Sequence, residues 1–260
     1  MVLFNIIAFS FLTFFIYCLI KWALYTRSKV YYKRTPENEK LIDNLGNLDF
    51  IPTFFLPNSI MQLICNELKK RPEIKYKREY LINEDGGLIS LDWVIKPNDK
   101  FDKILVILHG LTGGSNTCYI KETVEGFLNT DYKIVIIQYR GINDTPLFTP
   151  MIFHGGFTSD LLFSMRYIMG KYADIPLYCI GVSMGANIFT KLLVTHKKDL
   201  PNVKAFVSLS NPYCYAEVEK RNTGTYMEII MVMLKQKFLS QHKTLLGLNE
   251  SKICVLPFRA

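Results

Sequence analysis

The chain has 260 residues, 31 Lys and Arg against 23 Asp and Glu, and a formal charge of +8. Its six cysteines (Cys18, Cys65, Cys118, Cys179, Cys214 and Cys254) form no C-x-x-C pair and have no close histidine partner, so neither a zinc site nor a disulfide framework is indicated. No nucleic-acid-binding motif accompanies the positive charge, which gathers beside an apolar N-terminal stretch and at 69–71 and 75–78; attraction to anionic headgroups or plain solvation accounts for it, and no nucleic-acid partner is expected.

Residues 2–20 carry no charge and are dominated by Leu, Ile and Phe. As a helix they would span about 28 Å, close to the hydrocarbon thickness of a bilayer, so a single-pass transmembrane anchor is expected. A cleaved signal peptide is the alternative, against which stand the missing basic n-region and the lack of a small-x-small site before Lys21. Trp22, Tyr25, Tyr31 and Tyr32 supply interfacial aromatics. Lys21, Arg27, Lys29, Lys33 and Arg34 place positive charge on one side only, which puts the remainder of the chain on the cytosolic face. The expected division is an anchor over 1–24, a connecting segment over 25–72 forming an ordered collar on the membrane or the domain, and a partial catalytic domain over 73–260.

Tyr76 to Ile82 and Leu88 to Ile95 flank Asn83-Glu84-Asp85-Gly86-Gly87 and read as an antiparallel hairpin. Four apolar runs follow, 104–108, 134–137, 177–180 and 203–209, alternating with helical patterns, which predicts a mostly parallel sheet with helices on its faces. In one of those helices Thr158 or Ser159 is the expected cap, Asp160 suits the positive dipole end, and Phe157, Leu161, Met165, Ile168 and Tyr172 form the apolar stripe.

The run 103–108 opens into His109-Gly110-Leu111-Thr112-Gly113-Gly114. A nucleotide site is disfavoured, because neither a Gly-Lys-Ser/Thr ending nor G-x-G-x-x-G spacing is present. Gly181-Val182-Ser183-Met184-Gly185 lies between a strand and a helix expected from Ala186, the surroundings of a nucleophile elbow, in which the glycines make room for a backbone that doubles back beneath the serine. Together the two segments predict an oxyanion hole from the amides of Leu111 and Met184, with Gly110, Gly113, Gly181 and Gly185 as the enabling glycines. His109 reads as a loop-ordering histidine, and Arg140 as a group that orders carboxylates and carbonyls. Asp144 shares the loop of Arg140.

Four segments then carry a resemblance: 108–115; Gln138-Tyr139-Arg140-Gly141 with Thr145-Pro146-Leu147-Phe148-Thr149-Pro150; 181–187; and Ser208-Leu209-Ser210-Asn211-Pro212. In order and spacing over about 70–215 the chain resembles the membrane-anchored abhydrolase-domain esterases and lipases, the type-four group of the α/β-hydrolase superfamily. The resemblance implies an α/β-hydrolase fold and a serine hydrolase acting on acyl esters such as phospholipids or acylglycerols, some relatives passing the acyl group to an alcohol. No cofactor or metal is implied.

The triad order in this fold is Ser, then Asp or Glu, then His. After Ser183, His196 lies about 20 Å along the helix that starts at the elbow. His242 is the other candidate, with Glu217, Glu219 or Glu228 as its possible acid. The strands that carry the family's acid and histidine are not matched before Ala260, so the domain is expected to be C-terminally incomplete and neither residue is assigned. Two readings stand: an acyl-ester hydrolase with Ser183 as nucleophile, or an inactive membrane-tethered relative that binds a lipid or protein partner. Met227, Ile230, Met231, Met233, Leu234 and Phe238 form a methionine-rich stretch suited either to an acyl-chain cover or to an ordinary core helix.

Overall fold

The computed structural model describes residues 2–24, 29–46, 53–56, 59–98, 100–221, 242 and 245. The chain divides into two compact units, Met1–Lys70 and Arg71–Ala260.

Three helices make up the described part of the first unit: α1 (Val2–Ala23), α2 (Pro36–Leu45) and α3 (Ser59–Leu68). On α1, Phe4, Phe9, Phe11 and Trp22 are all more than half exposed, so its apolar surface is not confined to one stripe. Phe4–Ala23 is long and apolar enough to cross a bilayer, a test that a signal sequence also passes. The connecting segment contains regular helix. At the start of α2 the extended Thr35 accepts the Asn38 amide on its hydroxyl at 3.3 Å, Pro36 occupies a position whose N–H would be unpaired anyway, and Glu37 and Glu39 face the positive dipole end.

The second unit is built on a six-stranded sheet: β1 (Tyr76–Ile82), β2 (Leu88–Val94), β3 (Lys103–Leu108), β4 (Tyr132–Gln138), β5 (Leu177–Val182) and β6 (Val203–Leu209). Its order is β1-β2-β4-β3-β5-β6. The β1–β2 hairpin and the β2–β4 pair are antiparallel, and the β4–β3, β3–β5 and β5–β6 pairs are parallel. Side chains alternate along β3. Ile104, Val106 and Leu108 pack with Leu161, Met165 and Ile168 of α5 (Ser159–Lys171) and with Ile188, Phe189 and Leu192 of α6 (Met184–His196). Leu105 and Ile107 pack on the opposite face with Ile134, Ile136, and Ile120 and Val124 of α4 (Cys118–Phe127). Because helices cover both faces, the central strands read as unbroken apolar runs.

Several local expectations change. The helix after the elbow starts at Met184 rather than Ala186, since Ser183 itself is the N-cap residue. At the start of α5 Thr158 is the N-cap residue but makes no side-chain capping bond, whereas Asp160 lies in the first turn as expected and also bonds the side chains of Arg140 and Asn83. In the basic stretches assigned to headgroups or solvent, Arg71 pairs with Glu122 at 2.5 Å and Arg78 grips the buried Asp92 at 2.6 and 2.8 Å. A buried carboxylate draws its partner inward, because leaving it unpaired would cost several kcal/mol, on the order of 3–5.

Candidate active site

β5 delivers the chain to Val182 and α6 leads away from Met184, leaving Ser183 between them at φ 54°, ψ −118°. For a residue with a Cβ that backbone costs on the order of 1–3 kcal/mol, so its surroundings must hold it. They do so through hydrogen bonds and close packing. The Ser183 amide donates to the Leu209 carbonyl of β6 at 2.8 Å, and the Asn187 amide donates to the Ser183 carbonyl at 3.1 Å. A Cβ on Gly181 would stand 2.6 Å from Ala186 Cα, and one on Gly185 would stand 2.6 Å from the His109 carbonyl oxygen. Both are backbone clashes that no side-chain rotation relieves.

The loop after β3 lies against the serine. A Cβ on Gly110 would approach Ser183 Cβ to 3.3 Å, so only glycine allows that contact without displacement. The Gly110 amide donates to the Tyr119 hydroxyl at 2.9 Å, the Gly113 amide to the Gly110 carbonyl at 3.0 Å, and the Thr117 hydroxyl to the Gly114 carbonyl at 2.6 Å. Among the described residues no partner takes the Leu111 or Met184 amide. The Met184 amide opens α6, where the unpaired N–H groups and the dipole favour negative charge.

His109 is fully buried. Its Nδ1 faces the Gly110 carbonyl at 2.7 Å, its ring meets Tyr139 edge-on at 4.5 Å, and burial pushes its pKa down to about 4. A neutral imidazole tied to its own loop is an ordering element. The Tyr139 hydroxyl donates to the His109 carbonyl at 2.9 Å, adding a second tie. Arg140, also fully buried, reaches Asp160 through Nε at 2.6 Å and Asp85 through Nη1 at 2.6 Å and Nη2 at 3.0 Å. It joins the hairpin turn to the start of α5, which fits the carboxylate-ordering role read from the sequence, and Asp144 stands exposed outside that cluster.

One buried network was missed. Asp92 accepts from Arg78, from the Ser115 hydroxyl and from Gln138 Nε2, and Ser115 ends the glycine loop. An aspartate inside the run Leu88–Val94, every residue of which is buried, was the available signal. Such a position requires partners.

The remaining titratable candidates lie elsewhere. His196 Nδ1 faces Asp199 at 2.9 Å beyond α6, and His242 Nε2 donates to the Gly141 carbonyl at 3.0 Å. No hydrogen bond between described residues joins an imidazole to Ser183. Glu217 is exposed and pairs with Lys220 at 3.0 Å. Glu228 and the methionine-rich residues Met227, Ile230, Met231, Met233, Leu234 and Phe238 lie outside the described residues, as does the side chain of Glu219. No cluster among the described residues could hold a metal ion.

A mostly parallel sheet with a strand-to-helix turn at positive φ, facing a glycine loop from the neighbouring strand, defines a protein of the α/β-hydrolase fold class. The family comparison agrees: residues 103–239 match the model of the alpha/beta hydrolase fold, and the chain belongs to that family. It is 32% identical over 151 residues to the embryogenesis-associated protein EMB8 of Picea glauca, covering 55% of this chain and 33% of the relative. To the putative esterase YheT of Escherichia coli it is 29% identical over 197 residues, covering 73% and 57%. To the phospholipase ABHD3 of Bos taurus it is 30% identical over 185 residues, covering 68% and 45%. The chain thus spans between a third and somewhat over half of the length of these relatives.

Proposed function

We propose that this chain belongs to an acyl-ester hydrolase of the carboxylesterase or lipase type, with Ser183 as nucleophile and the Leu111 and Met184 amides as its oxyanion hole. The observation that carries the reading is the strained Ser183 backbone, wedged between Gly181 and Gly185 and facing Gly110. Attack by Ser183 Oγ on the ester carbonyl forms a carbon–oxygen bond and shifts an electron pair onto the carbonyl oxygen, where two converging amides offset the charge. Collapse breaks the bond to the alcohol, which leaves with a proton. Water then cleaves the acyl-serine, releasing the acid. A base must take the Ser183 proton, and an oxyanion hole working without one retains only about 10³ to 10⁴ over water.

Membrane lipid is the proposed substrate source. A relative named as a phospholipase and the exposed apolar α1 support this. In this reading α1 is a single-pass anchor, 25–72 is the juxtamembrane segment, and the exposed Lys29, Lys33 and Arg34 lie on the cytosolic face.

The test is intact-mass analysis of detergent-solubilised protein treated with a fluorophosphonate. One adduct on Ser183, absent from Ser183→Ala, is expected; labelling that survives the substitution overturns the assignment. The second reading, a tethered relative that binds without turnover, is favoured by the engagement of His109, His196 and His242 with other partners. Turnover of a short-chain nitrophenyl ester that disappears in Ser183→Ala would eliminate it.

A further inference from the structure

Tyr119 stands in the first turn of α4, a helix fixed to the sheet by the fully buried Ile120 and Val124. Its hydroxyl lies among the loop glycines. It accepts the Gly110 amide at 2.9 Å, a Cβ on Gly110 would come 3.4 Å from it, and a Cβ on Gly113 would collide with it. That Gly110 Cβ position is also 3.3 Å from Ser183 Cβ, so the phenol and the serine both border the space that a side chain at Gly110 would enter. Burial raises the phenol's pKa, which leaves the oxygen a neutral acceptor across the working pH range.

The Gly113-to-Gly110 hydrogen bond closes a turn whose first three residues are Gly110, Leu111 and Thr112. Among the described residues, Gly110 is the one of these whose N–H is taken. We infer that Tyr119 is a positioning residue for the Ser183 reaction: its hydroxyl engages the Gly110 amide and sets the loop's orientation, so that the Leu111 amide is presented to the substrate oxygen. This rests on Ser183 being the nucleophile. The sequence gives no hint of it, because Tyr119 is nine residues beyond Gly110 and lies in a different element.

Removing the oxygen while keeping the ring frees the Gly110 amide and lets the loop rotate about its glycines. A displacement of about 1 Å at an oxyanion donor is enough for a rate loss of up to a hundredfold. The experiment compares the full chain with Tyr119→Phe by fluorophosphonate modification of Ser183 and by hydrogen–deuterium exchange over 109–116. The expected result is a melting temperature lowered by no more than a few degrees, a maximal modification rate reduced roughly ten- to a hundredfold at an unchanged half-saturating concentration, and faster exchange at 110–113. Equal rates with equal exchange overturn the proposal. If the wild-type chain gives no Ser183 adduct, it is the nucleophile assignment that falls. Loop exchange then decides the positioning role by itself, and exchange unaltered in Tyr119→Phe rejects it.

Discussion

Gly185 in the first turn of α6 and the carbonyl of His109, the first residue after β3, are so close that a single added carbon would stand 2.6 Å from the carbonyl oxygen. The turn at Ser183 and the loop after β3 are thus packed backbone against backbone. Gly185→Ala and Gly181→Ala should each lower stability by about 3 kcal/mol or more, because the obstructing atoms are main chain. Gly126→Ala is the control: it sits in α4 with nothing within 4 Å of the added carbon, and a gain of up to about 1 kcal/mol is expected. Urea unfolding midpoints check all three.

Arg140 holds two carboxylates from elements far apart in sequence, Asp85 in the hairpin turn and Asp160 at the start of α5. Arg140→Met leaves Asp160 without its cation, and a loss of about 3–5 kcal/mol is expected. Asp144→Asn, at an exposed position in the same loop, should stay within about 0.5 kcal/mol. Thermal melts of the two variants distinguish a specific latch from general sensitivity of the loop.

The pH dependence follows from His109, whose folded pKa of about 4 lies below the ordinary 6.5 because burial penalises the imidazolium. The unfolded chain therefore binds a proton first as pH falls. Stability contributed by the neutral buried ring is fully present above about pH 6.5 and is lost progressively toward pH 4, by about 3 kcal/mol in total. Between pH 7 and 5, wild-type unfolding free energies should slope downward more steeply than those of His109→Gln. Parallel slopes would reject the assignment.

His242 donates its Nε2 proton to the Gly141 carbonyl, which occupies the nitrogen a general base would need. His242→Ala should leave fluorophosphonate modification of Ser183 within a factor of about two. A loss as large as that caused by Ser183→Ala would make His242 the base after all.

For the N-terminal helix, alkaline carbonate extraction should leave the chain in the membrane pellet, and deletion of residues 1–24 should release it. Recovery of the intact chain in the supernatant would eliminate the anchor.

The fold was legible where the pattern is local and repetitive. β1, β3 and β6 are found at the apolar or alternating runs read from the sequence, and β4 and β5 extend those runs by a few residues, β5 passing through Gly181 to Val182. The glycines around Ser183 were legible because a glycine two residues either side of a serine, between strand and helix, has few other uses. What stayed hidden was pairing at a distance. Arg78, Asp92, Ser115 and Gln138 come from four separate segments, and nothing in the immediate neighbours of Arg78 separates a cation bound to a buried aspartate from one in solvent. The helices of the connecting segment were missed for another reason. α2 buries none of its residues, so no continuous apolar stripe marks it, only the Thr35-Pro36 start.

The strand order also bears on how the chain leaves the ribosome. β1 and β2 can pair as soon as both are made, whereas among the described strands the partners of β3 are β4 and β5, each synthesised after it. Synthesis at about 5–20 residues per second leaves Ile104 to Leu108 waiting for a partner for on the order of seconds. A short apolar, β-branched segment without proline or an internal charge is the kind that joins another copy of itself when left unpaired. The strand at the middle of the finished sheet is therefore the segment that a nascent-chain chaperone would have most reason to hold.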